Sequence, residues 1–209
     1  GGKDPGALGI YGLKEKTLVL DISKRLKRQL ESAGIDVVMT RTSDVFIPLK
    51  ERSAIANRSK ADLFVSVHAN ASRLRSASGF EVYYLSEAFD DSSRLLASAE
   101  NAVLNLGENG LKEAGANLNA ILWDMIYTEN RAEAVRLARS VTKNVTRAFD
   151  INGRGIKGAP FYVLKGATMP AILIEIGFIS NPQQERMFHM ESYREQLSES
   201  IATGIVDFK

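Results

Sequence analysis

The stretch ADLFVSVHA, residues 61–69, decides the fold. Phe64, Val65 and Val67 make it near-continuously apolar, the pattern of a strand buried on both faces beneath helices. Upstream, EKTLVLDISKRLKRQLESAG sets Leu18, Ile22, Leu26 and Leu30 four apart and stops at Gly34, which predicts an amphipathic helix. IDVVMTR (35–41) reads as a short strand, and IPLKERSAIANRSK (47–60) as a second helix opened by Pro48, with Leu49, Ile55 and Ala56 available to the core. Helix, strand, helix, strand implies βαβ units. The expected fold class is therefore α/β: a single domain with a mostly parallel twisted sheet flanked by helices.

Downstream, FEVYYLS (80–86) reads as another strand, and then no strand is legible from Glu87 to Asp150. That is far more chain than one crossover helix requires, so residues 87–150 read as a helical insertion within a domain spanning 1–209. Inside it, SSRLLASAENAVLNL and LNAILWDMIYTENRAEAVRLARSVTKNVTRAF carry helical spacing on either side of GENGLKEAGAN. The Leu118/Ile121/Leu122/Met125 stripe of the later helix reads as core. FYVLK (161–165) and AILIEIGF (171–178) read as strands, followed by a helix opened by Pro182 and a closing helix through Tyr193, Leu197, Ile201 and Ile205.

Composition narrows the chemistry. Lys and Arg number 27 against 25 Asp and Glu, interspersed along the chain, so no basic arm points to nucleic acid. There are no cysteines, so any metal must be held by His and carboxylates. No apolar run approaches the ~20 residues that cross a bilayer. The opening GGKDPGALG has neither the charged nor the apolar region of a signal peptide and reads as the middle of a loop.

Three acidic or imidazole groups stand where chemistry is plausible. Strand alternation puts Glu175 on one face with Ala171 and Leu173, where an unpaired charge is costly. It is either half of a buried ion pair or a carboxyl whose raised pKa suits acid/base work. His68 shares a face with Phe64 and Ser66 and falls where a strand hands over to the ANAS turn, the end that lines ligand crevices in open α/β sheets. Glu15 opens the first helix, where the macrodipole alone favours a carboxylate. If loop 1–14 packs over the crevice, Glu15 and His68 can approach one metal. Asn70 has turn formation as its alternative role, Arg52 and Asn57 read as fixing the second helix, and His189 reads as surface.

The stretches GGKDPGA, GLKEKTLVLDIS, TRTSDVFIPLKERSAIAN, ADLFVSVHANA, GFEVYYLS and PAILIEIGFISN, in this order along nearly the whole chain, resemble the zinc-dependent N-acetylmuramoyl-L-alanine amidases that cleave peptidoglycan. The resemblance implies that Glu15 and His68 are zinc ligands and Glu175 the catalytic carboxylate. It implies hydrolysis of the amide between N-acetylmuramic acid and L-alanine of the stem peptide, in the periplasm or cell envelope, during wall remodelling and daughter-cell separation. The family motif carries a histidine immediately before the two glycines that are Gly1 and Gly2 here, so the third ligand is expected just before Gly1, at the end of a first strand outside this sequence.

The insertion resembles that of the cell-separation amidases, in which a helix covers the zinc site until an activator protein displaces it. Glu100, Glu108 and Glu113 are the candidate plugs, since a carboxylate can fill zinc's open position. Two other readings compete: a non-catalytic peptidoglycan-binding module, and a zinc carboxypeptidase-like peptidase, for which no arginine motif suited to a terminal carboxylate is apparent.

Overall fold

Leu18, Ile22, Leu26 and Leu30 do form the buried stripe of one helix, α1 (Glu15–Ser32). The computed structural model describes residues 1–87, 90–106, 120–149 and 153–209, and the side chains of all of these except 105–106 and 120–129. After α1 come α2 (Leu49–Arg58), β1 (Phe64–Asn70), β2 (Phe80–Leu85), α3 (Asp91–Asn101) with a 3-10 turn at Ala102–Leu106, α4 (Ala120–Phe149), β3 (Gly153–Ala159), β4 (Ala171–Phe178), α5 (Pro182–His189) and α6 (Glu191–Val206).

The sheet runs β1-β4-β2-β3. The β1/β4 and β2/β3 pairs are parallel and β2/β4 is antiparallel, so the sheet is mixed while most of its pairings are parallel, as expected. Every residue of β4 is buried, which its unbroken apolar sequence requires. One core layer joins α1, α4, α5 and α6 to one face through Ile22, Leu137, Val141, Ile172, Ile174, Ile176, Phe188, Leu197 and Ile201. The other gathers Leu49, Ala56, Phe64, Tyr83, Ala97, Phe161 and Leu173 beneath α2 and α3. Helices α4 and α6 approach closely at Gly204, where a Cβ would lie 2.5 Å from the Val141 Cα.

Two expected strands are corrected. At residues 35–41 half-buried Ile35 and Val37 alternate with exposed Asp36 and Val38, yet the run joins no ladder among the described residues. The free edge of β1 is likewise unpaired, and a cavity of about 1270 Å³ is lined by both runs. FYVLK is a series of turns, and its apolar residues are buried because Phe161, Val163 and Leu164 fill the second core layer. The strand is instead Gly153–Ala159, whose glycines and exposed first residues hide any alternation of an edge strand. The expected helices of the insertion are present as α3 and α4, and no strand lies among the described residues between β2 and β3. Glu108, Glu113 and the stripe Leu118/Ile121/Leu122/Met125 lie outside the described residues or side chains.

Candidate metal centre and its carboxylates

The site is assembled by register. His68 on β1 stands opposite Glu175 on β4, and Glu175 stands opposite Glu81 on β2. Partners in register project to the same face, so one row of polar side chains crosses an otherwise apolar sheet. His68 is 8% exposed, Glu81 2% and Glu175 0%.

Glu15 reaches this row from the first turn of α1. Its Oε1 lies 3.1 Å from His68 Nδ1 and accepts the Ala69 N–H at 3.2 Å, while Oε2 accepts the Ala7 N–H at 2.7 Å. Loop 1–14 therefore does pack against the crevice. Gly6 makes this possible: its φ of +67° lies in the left-handed region that favours glycine, and a Cβ there would lie 2.4 Å from Glu15 Oε2. The next part of the loop is held by buried Glu185 of α5, which accepts the N–H groups of Tyr11 and Leu13.

Glu100, on α3, approaches from above, with Oε2 2.9 Å from the same His68 Nδ1. Donor atoms of Glu15, His68 and Glu100 lie within 4.8 Å of one another. Two carboxylates and an imidazole at that spacing suit a divalent cation of intermediate hardness. His68 Nε2 faces Ser66 Oγ at 3.1 Å, the kind of outer hydrogen bond that orients a ligating ring.

Burial would push the His68 imidazole down, but the Glu100 charge and contact, then Glu15, outweigh it and hold the ring well above its ordinary pKa. Burial would raise Glu15, yet the His68 contact and the N–H groups of Ala7 and Ala69 bring it below the usual carboxylate range. Glu175 goes the other way. Burial pushes it well up, the neighbouring Glu100, Glu15 and Glu81 charges add to this, and His68 only partly opposes them. Among the described residues, neither Glu175 oxygen has a hydrogen-bond partner. The ion-pair alternative for Glu175 is thus not seen, whereas Glu81 is paired, accepting from Tyr83 OH at 2.7 Å, from Arg154 Nε and from Lys157 Nζ at 3.4 Å.

Helix α3 lies over this face. Asp90 caps it through the Ser93 N–H at 2.7 Å, and at its far end Asn101 donates to Pro160 O at 2.9 Å and accepts the Tyr162 N–H at 2.8 Å. Asn57 bonds Gly166 O at 2.7 Å and the Thr168 N–H at 3.1 Å, and Arg52 donates to Ile47 O at 3.0 Å, the scaffold roles expected of both. Asn70 is buried at the rim of the crevice, and His189 is exposed. Glu81, Arg154 and Lys157 were not anticipated. The signal available was a single carboxylate inside the apolar run FEVYYL.

A sequence profile of the family described as N-acetylmuramoyl-L-alanine amidase matches residues 1–207. The chain is 38% identical over 208 residues to the N-acetylmuramoyl-L-alanine amidase AmiC of Neisseria meningitidis, covering 98% of this chain and 50% of that protein. It is 33% identical over 210 residues to AmiA of Escherichia coli, covering 100% of this chain and 73% of that protein. The chain thus spans about half the length of the first relative and about three quarters of the second. Among solved structures, the amidase AmiC2 of Nostoc punctiforme superposes with a TM-score of 0.73 at 32% identity, covering 100% of this chain and 91% of that one.

Proposed function

Since the chain belongs to the N-acetylmuramoyl-L-alanine amidase family, we propose that the protein containing it hydrolyses the amide between N-acetylmuramic acid and L-alanine of peptidoglycan, using zinc, in the cell envelope. One observation carries this reading: a buried carboxyl with two unpartnered oxygens, Glu175, stands in register beside a cluster of Glu15, His68 and Glu100 donors. The set is ill suited to the binding-module reading, because an unpaired buried carboxyl opposes folding and is retained where it reacts.

Glu15 and His68 would hold the zinc ion, with the third ligand a histidine at the end of a strand seated along the free edge of β1. When bound, the ion supplies Lewis acidity toward the scissile carbonyl and acidifies a water. Glu175 takes the proton of the attacking water and passes it to the departing alanine amine. Burial pushes its pKa up, which favours the protonated form that delivers the proton to the amine. Loop 1–14 excludes water from the back of Glu15, and Ser66 steadies the His68 ring.

Glu100 fits the role of plug. Its carboxylate sits where the ligand set remains open, and α3 covers the face that a glycan-linked peptide must reach. Residues 87–150 are then a regulatory helical insertion, relieved by an activator protein that displaces α3. The experiment is release of new N-terminal alanine from peptidoglycan by the full-length protein, with zinc and with a chelator. Zinc-dependent release supports the reading; release unaffected by chelation, or cleavage elsewhere in the stem, overturns it.

A further inference from the structure

We infer that Arg154 and Lys157 of β3 form a subsite for a free carboxylate of the stem peptide, some residues beyond the scissile amide, and so set a preference for acidic peptides. The inference rests on the amidase reading for its substrate and on separate geometry for its location.

The polar row does not end at Glu81. Phe80 pairs with Gly153 and Val82 with Ile156, so a bulge places Arg154 and Gly155 beside Glu81. Arg154 Nε donates to Glu81, and its guanidinium lies 5.2 Å from the centroid of the Phe178 ring. Lys157 Nζ sits 3.4 Å from the same Glu81 oxygen. Both cations are thus preordered by one buried carboxylate, yet the Arg154 side chain remains 38% exposed and Lys157 18%. With α3 in place Asp90 balances the second cation, and when α3 is displaced two positive groups face one negative group, which leaves a net attraction for an anion. The ordering of long side chains, which a ligand would otherwise have to supply, is already done.

The strand carrying Arg154 lies two places from that of Glu175 in the sheet order. Strands are spaced about 4.8 Å apart, so the separation is roughly 10 Å. An extended peptide advances about 3.3–3.6 Å per residue and covers that distance in about three residues. Peptidoglycan stem peptides carry free carboxylates beyond their first residue, so a peptide laid across β2 from Glu175 brings one to Arg154.

The covering helix supplies an independent mark of the same subsite. At one end of α3, Glu100 faces His68; at the other, Asp90 Oδ2 comes to 4.0 Å from Lys157 Nζ. Ten residues of helix rise about 15 Å, and the three strand spacings from β3 to β1 span about 14 Å. Helix α3 therefore lays one carboxylate at the metal-ligating end of the row and another at the cationic end, the two places that the bound peptide would need.

The test compares the full-length, zinc-loaded protein on two muramyl peptides that differ only in whether the acidic residue is a carboxylate or a carboxamide. The expected result is a roughly tenfold preference for the carboxylate, carried in KM, because a hydrogen bond to a charged group is worth about that factor. Arg154→Gln and Lys157→Gln should each erode the preference, and Arg154→Lys should keep most of it. Lys157→Gln serves if Arg154→Gln melts early by circular dichroism. No preference in the parent, or equal losses on both peptides, overturns the subsite. Calorimetric binding of both peptides to Glu175→Gln protein is the second readout: it detects the preference even if neither peptide is cleaved, an outcome that would fault the amidase reading alone. Equal binding of both peptides would overturn the subsite whatever the fate of the amide.

Discussion

A carboxyl buried without a partner is tolerated only where its strain is used, and Glu175 is such a group. Replacing it with the isosteric neutral amide should separate function from stability. Because its pKa is raised in the folded protein, the protonated group favours folding and this contribution fades as pH rises past the unfolded value of about 4.3. Glu175→Gln should therefore melt a few degrees higher than the parent at neutral pH while amide hydrolysis falls at least about 100-fold, the scale of a lost general base. An unchanged rate would remove Glu175 from the reaction. His68→Ala should instead lose both zinc and activity, and stoichiometric zinc in that variant would remove it from the ligand set. At this scale much was legible: alternation placed Glu175 among apolar neighbours, and the strand end placed His68. Glu81 escaped notice because its meaning depends on the strand it faces, and an antiparallel partner ninety-odd residues away leaves no local trace.

Among the elements, α3 is anchored at its end by Asn101 and over the site by Glu100, so changes at these two residues should loosen it. Asn101→Ala removes both the Pro160 and Tyr162 bonds, and Glu100→Ala removes the contact with His68. Each should raise basal peptidoglycan hydrolysis several-fold in the full-length protein, measured by dye release from labelled sacculi; no rise in either would count against α3 as a cover. The α1–α6 contact makes a different prediction. Asp21 binds Arg25 at 2.8 Å and Arg194 at 2.7 Å, and although partial burial opposes it, these guanidinium bonds hold its pKa below the ordinary range. A depressed carboxyl stabilises above its unfolded pKa of about 3.9 and loses that contribution as pH falls through the folded value. The melting temperature should thus drop more steeply below about pH 4 in the parent than in Asp21→Asn. Helices were the most legible elements because Leu18 to Leu30 repeat with helical spacing. Strand β3 was not, since GRGIKGA has no alternation to read, and FYVLK imitated a strand because buried turns can be as apolar as ladders.

For the whole molecule, the sequence suggested an insertion at 87–150 and gave no sign of its orientation. Its length was the ground for expecting more than a crossover there; the face that α3 covers is given by the contact of Glu100 with His68. Deleting a segment within roughly 87–117 while keeping the later helix should raise basal hydrolysis without an activator, and a folded, zinc-loaded deletion variant no more active than its parent would make the segment scaffold. The unpaired edge of β1 bears on handling rather than catalysis. With Phe64 bonded to Pro170 O on the β4 side, Val65 and Val67 turn their backbone groups to the other edge, where no strand pairs with them among the described residues and no lysine, proline or bulge precedes His68 to deter a visitor. Molecules consisting of residues 1–209 alone should recruit one another through that edge, so their light scattering should climb with concentration, and a Val65→Lys change should suppress the climb.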